Sequence, residues 1–142
     1  MHQVLKEKLK AYILQNNPEL FTKLQESLSV NTYLEDKVSK VMPTVLRLLD
    51  ESKPGYVIEE LAMAEITVEL RPSRFNYLQQ VLEEDFPKEY LAFKQAGVLT
   101  YETINLTESC KKVLDDFPFK EGAEKDRFLR YAVIARISEY LN

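Results

Sequence analysis

The stretch VIEELAMAEITVEL, RPSR, FNYLQQVLEEDF, residues 57–86, decides the fold class. In its two long segments, apolar residues recur three or four positions apart, which is the spacing of one face of an α-helix. Pro72 disfavours the helical conformation at the residue before it, and Ser73 can cap the helix that follows. The stretch therefore predicts two helices joined by a sharp break at residues 71–74.

The rest of the chain repeats this helical periodicity, and most Pro and Gly residues lie between the periodic runs. No strand-like alternation and no internal repeat is evident. The 142 residues are 45% hydrophobic and 30% charged, which is typical of one globular domain that can bury its own core. We predict an all-α fold: a compact irregular bundle of about seven to eight short helices, forming a single domain over residues 1–142. Pro43 should kink or divide the helix that contains it.

Charge and targeting signals narrow the functional classes. The net charge of −4 is spread evenly on both sides of Arg71, so the chain lacks the usual attraction to nucleic acid or anionic lipid. Lys6, Lys8 and Lys10 interrupt the apolar positions near the start, and no segment reaches the length of a membrane span. The single cysteine, Cys110, cannot form an internal disulfide, which a reducing compartment permits. We expect a cytoplasmic protein with no membrane contact, and its charge disfavours nucleic-acid binding.

The residues that usually carry catalysis are scarce. His2 is the only histidine, so a Ser-His-Asp triad and a histidine-rich zinc site are disfavoured. Cys110 lies among apolar residues and is expected to be a small core residue. We therefore expect no catalytic residue, no metal, no cofactor and no specific small-molecule ligand. An enzyme that uses only carboxylates, such as Glu59, Glu60 and those of residues 83–85, stays as a third alternative.

Glu65 and Glu69 fall between two apolar stripes on the helical wheel of the segment before the break. Burying unpaired carboxylates costs several kcal/mol. We therefore expect them to form ion pairs with Arg130 and Arg136 of the final helix. The alternative is an acidic pocket that faces a ligand.

The break itself also contains candidate binding residues. Ser73 as a cap brings free backbone N–H groups close to the guanidinium groups of Arg71 and Arg74, an arrangement that can bind an anion. The ordinary interpretation is that Arg71 complements the end of the preceding helix while Arg74 pairs with nearby acids. The candidate binding residues are Glu65, Glu69, Arg71, Ser73 and Arg74.

The final helix is apolar on nearly every side. Between Phe128 and Leu141, ten of fourteen residues are apolar, and the four exceptions do not share one face. This pattern predicts either a central helix surrounded by the others or a helix whose one side binds a second copy or another protein. The candidate interface residues are Phe128, Tyr131, Ile134 and Tyr140.

Several parts of residues 57–86 are similar to a known family. The segments Glu60-Leu61-Ala62 and Ser73-Arg74-Phe75, together with the apolar positions from Leu78 to Phe86, resemble an uncharacterised family of small all-helical Bacteroidetes proteins, a domain of unknown function. The resemblance is concentrated in residues 57–86 and implies an all-helical cytoplasmic domain. It implies no catalytic residues.

Three functions remain open. The favoured hypothesis is a non-catalytic interaction or regulatory module that binds a protein partner or forms a homodimer, because catalytic signatures are missing. The alternative is a nucleic-acid-associated accessory protein that uses the helix, break and helix of residues 57–86. The third is the carboxylate-dependent enzyme.

Overall fold

Every regular element of the chain is helical, in the computed structural model that describes residues 1–142. The predicted all-α fold is confirmed. The chain divides into two compact units of 71 residues, Met1–Arg71 and Pro72–Asn142, and each unit has its own apolar core. The single domain predicted over residues 1–142 stays a prediction.

The first unit contains four α-helices followed by a 3₁₀ turn, Val68–Leu70. Each helix that forms the core buries one stripe with residues three or four positions apart, such as Leu5, Leu9 and Ile13. Pro18 starts a helix because its fixed φ and missing N–H suit the first helical position. The four helices are α1 (His2–Asn16), α2 (Pro18–Glu26), α3 (Val30–Asp50) and α4 (Gly55–Ile66).

The second unit contains five α-helices and a 3₁₀ turn, Ala123–Lys125. Its core includes Leu78, Leu106 and Leu129, which are fully buried. Asp126 caps the last helix by accepting hydrogen bonds from the N–H groups of Phe128 and Leu129 at 2.9 and 3.1 Å. The five helices are α5 (Arg74–Asp85), α6 (Pro87–Gln95), α7 (Leu99–Ser109), α8 (Lys111–Asp116) and α9 (Arg127–Leu141).

Two helices differ from the sequence prediction. The structure keeps α3 as one helix of 21 residues that continues through Pro43, which is exposed. The predicted division at Pro43 is therefore wrong. Conversely, the spacing of the apolar residues Ile104, Cys110, Val113, Leu114 and Phe117 predicts one helix, whereas the structure forms α7 and α8, which meet at Cys110. This break brings the number of α-helices to nine.

Three helices end with a residue in the left-handed conformation. Gly97 does so after α6 with φ of +75°, as its sequence position predicts. After α2 and α3 the same position is taken by Leu28 and Ser52, with φ of +54° and +58°. Leu28 N–H donates to the Gln25 carbonyl at 3.1 Å, and Ser29 N–H donates to the Leu24 carbonyl at 2.9 Å, so the turn is fully hydrogen-bonded. A leucine in this conformation is strained.

Candidate functional site

Glu65 and Glu69 line one shallow cleft of the first unit, between α3 and the end of α4. The Thr44 hydroxyl donates to Glu65 Oε1 at 3.1 Å, and Lys37 Nζ lies 2.9 Å from Glu69 Oε2. The hydrogen bond from Lys37 lowers the pKa of Glu69. Both glutamates are exposed, and the cleft encloses about 150 Å³. Its walls are formed by Lys37, Lys40, Val41, Glu65, Ile66, Val68 and Glu69.

The predicted pairing of these glutamates with Arg130 and Arg136 is wrong. It assumed that the whole apolar arc of α4 is buried, whereas the buried residues of this helix are Ile58, Ala62 and Ile66. Glu65 and Glu69 lie outside that stripe, where water solvates their charges, so they require no buried arginine.

Both arginines instead pair with acids of their own unit. Arg130 Nη2 lies 2.7 Å from Glu84 Oε2 and 2.6 Å from Asp85 Oδ2, so one guanidinium joins α9 to the end of α5. The hydrogen bond from Arg130 is the main cause that lowers the pKa of Glu84. Arg136 Nη1 lies 2.7 Å from Glu139 Oε2, and Arg136 Nε donates to the Ser109 carbonyl at 3.0 Å.

Arg71 takes the ordinary role that the sequence suggested. Its backbone is extended, with φ of −112° and ψ of 140°, as expected before Pro72. Its guanidinium donates to the carbonyl of Ala64 at 2.9 Å and to the carbonyl of Thr67 at 3.4 Å. Both carbonyls lie at the end of α4, and that of Thr67 also accepts the Leu70 N–H at 2.9 Å, so Arg71 adds side-chain hydrogen bonds to that helix end.

Ser73 and Arg74 belong to the second unit, where they begin α5. Ser73 accepts a hydrogen bond from the Asn76 N–H at 3.0 Å, which confirms the predicted cap. Arg74 Nη2 lies 2.8 Å from Asp115 Oδ1, and Lys111 Nζ lies 3.0 Å from Asp115 Oδ2. Lys111 and Arg74 together lower the pKa of Asp115. Because the Arg74 guanidinium already pairs with Asp115, the geometry favours a structural role over an anion site.

The final helix, α9, has one buried side and one exposed side. Leu129, Val133 and Ile137 are fully buried, whereas Phe128 and Tyr131 are 70% and 63% exposed. The prediction of a central helix surrounded by the others is therefore wrong. The apolar residues that made the helix look buried on every side include two aromatic rings that face solvent.

The four predicted interface residues divide between these two sides. Ile134 and Tyr140 are half-buried and pack against the core of the second unit. The Tyr140 hydroxyl donates to Glu102 Oε2 at 2.7 Å. Phe128 and Tyr131 remain available to a partner. We call the exposed side the outer face of α9, and it consists of Arg127, Phe128, Tyr131, Ala135 and Glu139.

The sequence analysis did not predict that apolar residues on and next to α4 are exposed. Tyr56 and Leu61 are 72% and 47% exposed, and Val68 just after the helix is 59% exposed. Leu28, at the left-handed turn after α2, is 93% exposed. The sequence contains a signal for this exposure, since α4 carries two apolar stripes. A helix that packs on a single core can bury only one of them, so the other must be exposed.

The two units contain neither a cluster of metal-ligating side chains nor a helix of membrane-spanning character. No group of three or more His, Cys, Asp or Glu residues is arranged to hold a metal ion. None of the helices combines the length and the apolar character that crossing a membrane requires. Cys110 is fully buried, and burial raises the pKa of its thiol to about 11, so the reactive thiolate is suppressed.

Comparison with known proteins adds no relative. No protein-family model, no curated protein and no solved structure matches the chain. The resemblance of residues 57–86 to the Bacteroidetes family stays a prediction. The function must therefore be inferred from the geometry of the chain itself.

Proposed function

We propose that this chain is a non-catalytic protein-interaction module that associates with a second copy of itself through the outer face of α9. The observation that carries the proposal is the exposure of Phe128 and Tyr131, 70% and 63%, on one side of a helix whose other side is fully buried. Residues three apart lie side by side on a helix, so the two rings form one apolar patch. Aromatic side chains are enriched in protein interfaces and dominate their energetics.

The size of this patch predicts weak association. With about 200 Å² for each aromatic side chain, the exposed fractions give about 270 Å² of ring surface. At about 25 cal/mol per Å², burying this surface together with an equal area of the second copy contributes roughly 13 kcal/mol, against an association cost of about 4–15 kcal/mol. We therefore expect an exchanging complex with a dissociation constant on the order of 1–100 µM.

A cytoplasmic location is part of the same proposal. It is supported by Cys110, a free and buried cysteine, which a reducing compartment permits.

Sedimentation equilibrium of wild type and the Tyr131→Glu variant tests the proposal. The matched control is Tyr101→Glu, because Tyr101 on α7 is 64% exposed and thus as accessible as Tyr131. We expect wild type and Tyr101→Glu to exceed the monomer mass as concentration rises, and Tyr131→Glu to remain monomeric. A wild type that is monomeric up to about 500 µM, or equal association of both variants, would show that the proposal is wrong.

A further inference from the structure

We infer that the outer face of α9 binds the outer face of α4 on a second copy of the chain. What we call the outer face of α4 consists of Tyr56, Glu60 and Ala64 on the helix and Val68 just after it, all of them exposed. The inference rests on the proposed function and identifies the surface that α9 recognises. Two observations carry it: the two units have the same architecture, and the unpaired charges on the two outer faces have opposite sign.

The two units have the same order of helices and the same packing. In the first unit α1 packs against α2, α3 and α4, and α3 packs against α4. In the second unit α5 packs against α6, α7 and α9, while α7 and α8 pack against α9. Thus α5 and α6 correspond to α1 and α2, the α7–α8 pair corresponds to α3, and α9 corresponds to α4.

Local geometry supports the same correspondence. Asn17 and Phe86 have nearly identical backbones, with φ and ψ of −139° and 53° in the first case and −133° and 55° in the second. Each precedes a nine-residue helix that starts with proline. Each of these helices then ends at a left-handed residue, Leu28 in the first unit and Gly97 in the second.

Core positions continue the correspondence at a constant spacing. Pro18 and Pro87, which start these two helices, are 69 residues apart, and so are Leu28 and Gly97. Six pairs of buried residues keep this spacing: Leu9 with Leu78, Ile13 with Leu82, Leu34 with Thr103, Val38 with Thr107, Val41 with Cys110, and Val45 with Leu114.

The last helices, α4 and α9, correspond with a spacing of 71 residues. Their buried stripes are Ile58, Ala62 and Ile66 in α4, and Leu129, Val133 and Ile137 in α9. The same spacing relates the outer faces, because Ala64 corresponds to Ala135 and Glu60 corresponds to Tyr131. The outer faces of α4 and α9 are thus corresponding surfaces of the two units.

The two outer faces differ in charge. The outer face of α4 carries Glu60 and no basic residue, whereas the outer face of α9 carries Arg127 and Glu139, and Glu139 already pairs with Arg136 at 2.7 Å. Glu60 on α4 and Arg127 on α9 are exposed and take part in no ion pair. Two α4 faces would repel each other, while an α4 face and an α9 face attract. This complementarity favours a head-to-tail contact between copies, which forms a ring if it closes and a chain if it does not.

Matched substitutions at the corresponding alanines test the inference in the full chain. Ala64→Lys places a positive charge on the α4 face, and Ala135→Glu places a negative charge on the α9 face. Both alanines are exposed, and Lys and Glu are good helix formers, so circular dichroism should show unchanged helicity. Each variant keeps one unaltered face. We expect each variant alone to associate at least tenfold more weakly than wild type, because it lacks one of the two complementary faces.

The equimolar mixture of the two variants is the decisive sample. It contains one unaltered α4 face and one unaltered α9 face on different chains, so we expect heterodimers in sedimentation velocity. If Ala135→Glu prevents association while Ala64→Lys leaves it unchanged, the α9 face self-associates by another geometry and the inference is wrong, although the proposed function stands. If neither substitution weakens association, both are wrong.

Discussion

Replacing Leu28 by glycine should stabilise the first unit, although it removes a large apolar side chain. Leu28 has φ of +54° and is 93% exposed. The left-handed conformation costs a residue with a Cβ about 1–2 kcal/mol, and glycine in turn loses about 0.5–1 kcal/mol more backbone entropy on folding. The buried 7% of this side chain is worth about 0.1–0.2 kcal/mol, from the roughly 1.5–3 kcal/mol of full burial. The net gain is therefore about 0.5–1 kcal/mol.

Urea denaturation followed by circular dichroism measures this gain as a shift of the midpoint. The Leu28→Ala variant is the matched control, because alanine removes the exposed side chain but keeps the Cβ that makes the conformation costly. We expect no stabilisation from alanine. Gly97→Ala should destabilise the corresponding turn by about 1 kcal/mol, because alanine is strained at a φ of +75°. An added Cβ would contact no atom within 4 Å, so no steric clash contributes to this loss. Leu28→Gly that is no more stable than Leu28→Ala would refute the assignment of strain to this turn.

Three further predictions concern the second unit. Cys110 should react with a thiol reagent in the unfolded chain and be protected in the folded chain at about pH 8, because burial raises its pKa to about 11; fast labelling of the native protein would contradict this. Tyr77→Phe should raise the free energy of unfolding, measured in urea, by about 1 kcal/mol, since the Tyr77 hydroxyl is buried without a hydrogen-bond partner. A loss of stability would show that the hydroxyl has a partner. Arg130 lowers the pKa of Glu84 below its ordinary 4.5. The stability that this ion pair contributes is therefore present above pH 4.5 and is lost as pH falls through the lower pKa that Glu84 has in the folded state. Between about pH 7 and about pH 3, Arg130→Met should therefore lose less stability than wild type, whereas Arg127→Met should behave like wild type.

Sequence periodicity predicted the helices because it depends on local spacing. The stripes Leu5, Leu9 and Ile13 in α1 and Leu34, Val38 and Val41 in α3 are buried as expected. The break at residues 71–74 was also predictable, because Pro72 and Ser73 act on their immediate neighbours. Local rules therefore account for most of the helix boundaries.

Charge partners were not predictable from spacing. Glu65 and Glu69 appeared to lie within a buried arc, but which apolar stripe of α4 meets the core is decided by α1 and α3. For the same reason Arg130 pairs with Glu84 and Asp85, whose proximity depends on the packing of α9 against α5.

The correspondence between the units was also not evident as an internal repeat in the sequence, because several equivalent positions share burial rather than residue identity. Leu34 and Thr103 are both buried, as are Val38 and Thr107. A threonine can take the place of an aliphatic residue when its hydroxyl bonds to its own helix, as Thr103 does to the Leu99 carbonyl at 2.8 Å. Such a pair leaves no similarity that a sequence comparison detects.

The central claim is that association covers the outer face of α9, and hydroxyl-radical footprinting as a function of protein concentration tests it most directly. Tyr131 and Tyr101 are 63% and 64% exposed in the single chain, so their oxidation rates report equally accessible rings. We predict that oxidation of Phe128 and Tyr131 falls as the protein associates, while that of Tyr101 stays constant. Unchanged oxidation of Phe128 and Tyr131 in a sample whose mass shows association would contradict the claim.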